Sequence, residues 1–143
     1  MSIVLDGTTG VTAPALTGNT KTDSITDVAG TGAPSFPNGI SLTVAPTESV
    51  YALSGTAVAL APANGSIQTH TLTGNTTYTD SFSAGQSVTL MIDDGTAYTI
   101  TWPTMTWVNN KAVAPTLALT GYTVVAIWKV GTTLYGALVG AGA

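Results

Sequence analysis

The sequence predicts an all-β fold, an antiparallel β-sandwich or jelly roll preceded by an extended N-terminal arm. Charged residues make up 7% of the 143 residues, against about a quarter in an ordinary globular domain, and threonine fills much of the deficit. Threonine is β-branched and suits a half-exposed strand better than a helix. From Glu48 onward, short strand-like runs recur at spacings of about ten residues, as they do in sandwiches and jelly rolls.

Residues 1–45 are predicted to form an arm that anchors the protein to a partner. This stretch contains turn signals such as Asp6-Gly7 and Asn38-Gly39, and its apolar residues are thinly spread. It cannot bury enough apolar area alone to offset a backbone entropy cost of about 1–2 kcal/mol per residue. Apolar and polar residues alternate over residues 40–44, which indicates that the arm adds a strand to another sheet. The side chains expected to make the anchoring contact are Ile3, Val4, Leu5, Phe36, Ile40 and Leu42.

Residues 46–143 are predicted to form the sandwich, which is also the oligomerisation domain. Its clearest expected hairpin joins residues 87–92 to residues 97–102 through the turn Asp93-Asp94-Gly95-Thr96, because Asp-Gly between two alternating runs is a strong hairpin signal. Alternation places six apolar residues on the inner faces of these two strands. This first predicted core consists of Val88, Leu90, Ile92, Tyr98, Ile100 and Trp102.

The run at residues 122–130 is apolar on both faces. Val124, Ala126, Trp128 and Val130 alternate with Val125 and Ile127. Such a strand is either central in a sandwich whose outer face is covered, or part of an oligomer interface. The low charge of the chain favours the second interpretation, with Val125 and Ile127 on the face that a monomer would expose. The predicted oligomer interface consists of Val125, Ile127, Tyr135 and Leu138.

A short cassette of the form Leu-Thr-Gly or Leu-Ser-Gly recurs along the chain. It begins at Leu16, Leu53, Leu72 and Leu119. The separations are unequal, whereas the units of a solenoid must stack identically. We therefore interpret the cassette as repeated turn chemistry, in which glycine takes the left-handed conformation.

The charge balance argues against nucleic-acid and membrane partners. The net charge is −4, and the only three cationic side chains are scattered at Lys21, Lys111 and Lys129, whereas binding to phosphates needs clustered cations. The chain has no cysteine, so neither disulfides nor thiolate metal sites are expected. The N-terminal residues have no basic segment and only a short apolar run, so we expect no signal peptide.

No catalytic, cofactor-binding or metal site is predicted. His70 is the only histidine, and its position in an expected strand indicates a structural or surface residue rather than a catalytic base. Asp93-Asp94-Gly95 is interpreted as a turn rather than as paired carboxylates or a Ca²⁺ site. The aromatic residues are interpreted as core or interface, although Trp107 with Asn109 and Asn110 is the one loop suited to stacking on a sugar.

Several segments resemble sequences common in tailed-phage virion proteins. Residues 6–11 (DGTTGV) and 31–40 (TGAPSFPNGI) look like N-terminal segments of phage fibre and appendage proteins. The C-terminal part is similar to a small β-module at the ends of phage fibres and of decoration proteins. The segments that carry this second likeness are Leu72-Thr73-Gly74-Asn75-Thr76, residues 98–103 (YTITWP), Ala114-Pro115-Thr116-Leu117 and residues 134–139 (LYGALV).

This resemblance implies a trimeric structural protein of the virion. The chain has neither the heptads nor the collagen-like repeats of a long fibre shaft, which favours a capsid decoration (cement) or short head-fibre protein over a tail fibre. The expected partners are two further copies of the chain, in a homotrimer, and the major capsid protein or another virion protein. The alternative is a tail-fibre tip or adaptor that binds host receptor glycans, and an enzyme is the weakest hypothesis.

Overall fold

The computed structural model describes residues 43–93, 98–108 and 112–142, and Pro46–Ala143 form one compact unit. The described residues contain no α-helix and a single 3-10 turn at Pro62–Asn64, so the all-β prediction is confirmed for this part of the chain. None of their helices is long and apolar enough to span a membrane. The strands are β1 (Val50–Leu53), β2 (Ala57–Leu60), β3 (Ile67–Thr71), β4 (Thr76–Asp80), β5 (Ser87–Asp93), β6 (Ile100–Thr101), β7 (Thr106–Trp107), β8 (Thr123–Val130) and β9 (Thr133–Ala141).

These strands form two sheets that share one core. The larger sheet has the order β1-β3-β5-β8-β9-β7, and the smaller sheet has the order β2-β4-β6. Successive strands from β1 to β6 alternate between the larger and the smaller sheet. The chain therefore winds through three coils, each of which contributes one strand to each sheet: β1 with β2, β3 with β4, and β5 with β6.

This winding makes most of the strand pairs parallel. The pairs β1–β3, β3–β5, β2–β4, β4–β6 and β7–β9 are parallel. Among the strands that the structure describes, β5–β8 and β8–β9 are the antiparallel pairs. The prediction of an antiparallel arrangement is therefore wrong for the coils, because each coil returns to the same sheet in the same direction. The spacing of the Leu-Thr-Gly cassette concealed these coils, because their turns differ in length.

The predicted hairpin of residues 87–102 is one consequence of this error. β5 lies between β3 and β8 in the larger sheet, whereas β6 pairs with β4 in the smaller sheet. β5 and β6 thus belong to different sheets and do not form a hairpin. The inner faces were nevertheless assigned correctly: Val88, Leu90 and Ile92 are buried, and Tyr98, Ile100 and Trp102 pack against the core as half-buried residues.

The core combines aliphatic residues from both sheets with a row of aromatic rings. His70 meets Tyr78 edge-on at a centroid distance of 5.6 Å. Tyr78 lies 5.5 Å from Trp102, which in turn meets Trp107 edge-on at 5.0 Å. Edge-to-face contacts of this kind add about 0.5–1.5 kcal/mol each beyond the burial of apolar area. The row therefore ties strands of the smaller sheet to β3 and β7 of the larger one.

A tight hairpin completes the larger sheet. β8 ends at Val130 and β9 begins at Thr133, and Gly131 between them has a φ of 58°. A two-residue type II′ turn has glycine with positive φ at its first central position, and its twist matches that of the flanking strands. A register shift at Val124/Val125 marks a bulge near the other end of the pair. This hairpin gives β5 its second neighbour.

Candidate functional site: an uncharged face of the larger sheet

The outer face of β5, β8 and β9 carries a group of apolar and small side chains that the rest of the chain leaves partly uncovered. We call this group the outer patch. Its members point away from the core, are half-buried and carry no charge. They are Met91, Val124, Ala126, Trp128, Tyr135 and Ala137.

Strand register brings these residues into contact. Trp128 lies opposite Tyr135, and their rings stack with centroids 5.8 Å apart and an interplanar angle of 14°. Ala126 lies opposite Ala137, and Met91 opposite Val124. Small alanines between two larger groups make a shallow surface without a protruding side chain at its middle, and contiguous apolar surface of this kind is typical of protein contacts.

The predicted interface residues divide between the two faces of the hairpin. Val125 and Ile127 have no exposed surface and belong to the core of the chain itself. The expectation that a monomer would expose them is wrong, because the smaller sheet and its aromatic row cover that face. Tyr135 lies on the outer patch. Leu138 lies opposite Val125 and is 42% exposed.

Lys129 explains why the inner face of β8 can end in a charged residue. Its Nζ lies 2.6 Å from Asp80 Oδ2 of β4 and donates a second hydrogen bond of 3.1 Å to the Phe82 carbonyl. Partial burial raises the pKa of Asp80. The hydrogen bonds from Lys129 and from the Phe82 N–H, together with the charge of Lys129, lower this pKa by a larger total amount. The net pKa therefore lies below the usual value, and the ion pair links the two sheets at their rim.

His70 is a buried structural residue. The sequence predicted either a structural or a surface position, and the first of these is confirmed. Its Nε2 lies 3.1 Å from the Gly55 carbonyl, and its Nδ1 lies 2.6 Å from the Tyr78 hydroxyl. A carbonyl can only accept, so Nε2 carries the proton and Nδ1 accepts from the phenol. Burial lowers the pKa of His70 and outweighs the opposing effect of the hydrogen bond to Gly55. Burial also raises the pKa of the Tyr78 phenol.

A cleft of about 370 Å³ opens beside β6. Half-buried Tyr98 and Trp102 line it together with Thr99, Thr116 and an apolar wall that includes Leu117. The predicted sugar-stacking loop is not this cleft: Trp107 is only 9% exposed and packs in the core, and Asn109 and Asn110 lie outside the described residues. Over the part of the chain that the structure describes, no three His, Cys, Asp or Glu side chains are grouped as metal ligands.

The predicted anchoring contacts cannot be placed in the same way. Ile3, Val4, Leu5, Phe36, Ile40 and Leu42 all lie outside the described residues, so the arm stays a prediction.

Comparison with known proteins adds no relative to this picture. No protein-family model, curated protein or solved structure matches the chain.

The sequence analysis did not predict the outer patch because it placed Val125 and Ile127 on the exposed face of β8. These two residues are buried, and the opposite face of the strand contributes to the patch. No signal in the sequence pointed to the correct assignment. Both faces of the run are apolar, and Lys129 lies on the face of Val125 and Ile127, where a charge ordinarily indicates exposure to solvent. The partner that allows Lys129 to lie there, Asp80, is identified only by the structure.

Proposed function

We propose that this chain is a non-enzymatic structural protein of a tailed-phage particle, a capsid decoration or short head-fibre protein that forms a homotrimer. The observation that carries the proposal is the outer patch. Six uncharged side chains, with the stacked pair Trp128 and Tyr135 at one end, form a surface on the most extensively paired strands. Tryptophan and tyrosine are enriched among the residues that supply most of the binding energy of a protein contact.

The surroundings of His70 support a role without catalysis. Both ring nitrogens are already engaged in the core, and the side chain is 1% exposed. A general base must reach a proton on a bound substrate, and the buried His70 imidazole is not accessible to a substrate. The function is thus mechanical: reinforcement or display on a finished shell.

The architecture suits such a role. We class the two sheets as a β-sandwich rather than a jelly roll, because parallel coils do not follow the Greek-key path of a jelly roll. In our proposal, residues 1–45 bind the major capsid protein or another virion protein, and the sandwich trimerises above the shell. Three arms on one trimer raise the effective concentration of each anchor, so modest single contacts give tight attachment. The protein acts in the virion, without nucleic-acid or membrane partners.

The oligomer is tested by placing a charge on the outer patch. We expect native mass spectrometry of the wild-type chain at micromolar concentration to give a multiple of three chains. Ala126→Asp should divide that mass by three, because it buries an unpaired carboxylate in the contact. Thr79→Asp is the matched control, since Thr79 is exposed on the outer face of the smaller sheet. A stable wild-type monomer would sink the proposal.

The station on the particle is tested with phage that lack the protein. Such particles are expected to assemble but to release their genome at a lower temperature, because a ligand that binds only the assembled lattice stabilises it. Adsorption to host cells should be unchanged. Unchanged heat release with lost adsorption would overturn the decoration role and favour the alternative, a receptor-binding tip.

The cleft beside β6 is the observation that favours this alternative. Tyr98 and Trp102 supply aromatic rings, and Thr99 and Thr116 supply hydroxyl groups. Aromatic faces beside hydrogen-bonding groups suit a sugar ring. A glycan array that compares the wild-type chain with Tyr98→Ala tests this function, and binding that Tyr98→Ala abolishes would support it.

A further inference from the structure

The connection between β2 and β3 contains an Asn-Gly pair, Asn64-Gly65. Pro62–Asn64 form the 3-10 turn, and Gly65 follows it directly. Among the described residues the Asn64 side chain is exposed, whereas Gly65 is buried. Asparagine is one of the chemically labile residues of proteins. The pair therefore joins a labile side chain at the surface to a backbone unit that is packed into the fold.

The fold requires glycine at position 65. Its φ of 155° and ψ of 152° lie in a region that is essentially restricted to glycine. A Cβ at this position would also lie 2.6 Å from the Ser49 carbonyl oxygen, which is closer than van der Waals contact allows. A residue whose side chain would shield the peptide nitrogen is thus excluded, and the Asn-Gly pair is part of the architecture of the turn.

The backbone nitrogen of Gly65 can be reached by the side chain that precedes it. Because glycine has no Cβ, it permits a close approach to its backbone. The Gly65 N–H donates a hydrogen bond of 3.2 Å to the Pro62 carbonyl, but this bond belongs to a 3-10 turn whose N-cap residue, Ala61, has no capping side chain. Short segments with few bonds open locally at a low cost in free energy. The turn can therefore release the nitrogen while both sheets stay folded.

We propose that Asn64 is a site of spontaneous deamidation and isoaspartate formation. The Gly65 nitrogen loses its proton to water and bonds to Cγ of Asn64, while the Cγ–Nδ2 bond breaks and the amide group takes up a proton and leaves as ammonia. Water then opens the succinimide ring. Cleavage of the bond from nitrogen to Cγ gives aspartate. Cleavage of the bond from nitrogen to the backbone carbonyl carbon gives isoaspartate, whose main chain passes through Cβ and Cγ and is longer.

The longer main chain acts on a buried amide. Gln68 is fully buried, and its Nε2 donates to the Ala61 carbonyl at 2.7 Å and to the Gly65 carbonyl at 3.1 Å. Isoaspartate at position 64 displaces Gly65 relative to Ala61, so the two bonds are not both kept, and a buried donor without an acceptor destabilises the fold. Aspartate keeps the normal main chain and leaves these bonds intact. Isoaspartate formation therefore loosens the start of β3, and the stability of the chain declines as it ages.

Ageing of the purified full-length chain tests the site. After incubation at mildly alkaline pH, peptide mass spectrometry locates each lost amide, and enzymatic methylation of isoaspartyl carboxyl groups measures the isoaspartate. We expect loss of the amide at Asn64, with isoaspartate in the same peptide. Asn75 is the internal control, because its Oδ1 accepts a hydrogen bond of 2.9 Å from the Thr99 N–H and the β-branched Thr76 follows it. An amide that is retained at Asn64, or lost equally fast at Asn64 and Asn75, would overturn the proposal.

Two variants test the effect on the fold. Asn64→Gln keeps an amide, but its longer side chain closes a ring far more slowly, so we expect its thermal unfolding temperature to stay constant during ageing. Freshly purified Asn64→Asp carries the new charge on a normal main chain and should unfold at the temperature of the fresh wild-type chain. The aged wild-type chain should unfold at a lower temperature than either. An equal decline in Asn64→Gln, or no decline in the wild-type chain, would refute the link between Asn64 and Gln68.

Discussion

Tyr78 of the smaller sheet donates a hydrogen bond of 2.6 Å to Nδ1 of His70 in the larger sheet. This bond joins the two layers at the centre of the second coil, and both side chains are 1% exposed. Neither residue can turn to water if the other is removed. The pair is therefore a sensitive point of the fold.

Replacing Tyr78 with Phe should destabilise the protein. The ring and its packing are retained, but Nδ1 of His70 is left as a buried acceptor without a donor, which costs about 1–3 kcal/mol. Denaturant unfolding measures the change. Tyr122→Phe is the control, because Tyr122 is 39% exposed, and a surface change of this size costs less than about 0.5 kcal/mol. Equal stability of the two variants would contradict the structural role of the bond.

Stability should fall as the pH falls below 6.5. The pKa of His70 is lowered from 6.5 in the folded chain, so the unfolded chain binds more protons just below that pH. The contribution of the neutral imidazole is therefore complete above pH 6.5 and is lost as the pH drops toward the folded pKa.

Unfolding free energies measured between pH 7.5 and 5 check this dependence. His70→Asn retains an acceptor for Tyr78 but does not titrate, and its stability should be flat over this range. Asp80 does not interfere, because its pKa is lowered from 3.8 and it contributes only at more acid pH. A wild-type stability that is constant down to pH 5 would contradict a buried neutral His70.

Replacing Gly136 with Ala should damage the contact between β7 and β9. A Cβ at this position would lie 2.9 Å from Trp107 Cζ3 and 3.1 Å from Met105 Cε. Overpacking of this kind costs about 1–3 kcal/mol. Gly140→Ala on the same strand is the matched control, since a Cβ there meets nothing within 4 Å. Thermal unfolding of the two variants should separate them, and indistinguishable transitions would count against close packing at Trp107.

Local patterns in the sequence predicted the strands well. The alternation of Val88, Leu90 and Ile92 identified an inner face, because the side-chain period of a strand is independent of its neighbours. The threonine-rich composition predicted the β class because the β-branched threonine side chain favours strands. These features depend on one strand at a time, and the structure confirms them.

The pairing of strands was harder to predict. Asp93-Asp94-Gly95 has the composition of a hairpin turn, but β5 and β6 separate into different sheets. A hairpin and a crossover between sheets use similar turn residues. The choice between them depends on whether β4 of the smaller sheet is available to pair with β6. Likewise, β8 is apolar on both faces, so only the position of the facing sheet determines which side is buried. Long-range contacts of this kind leave no period in the sequence.

The pairing of β5 with β8 and of β7 with β9 has a consequence for synthesis of the chain on the ribosome. The three coils emerge before β8 and β9, so β5 lacks its second neighbour until β8 follows, and Trp107 lacks its packing surface until Gly136 has left the exit tunnel. The β8–β9 hairpin closes locally and quickly, whereas each parallel crossover must first close a longer loop. β8 and β9, which are translated after the coils, thus complete the larger sheet. A nascent chain that stalls before β9 exposes unpaired strand edges, which chaperones bind.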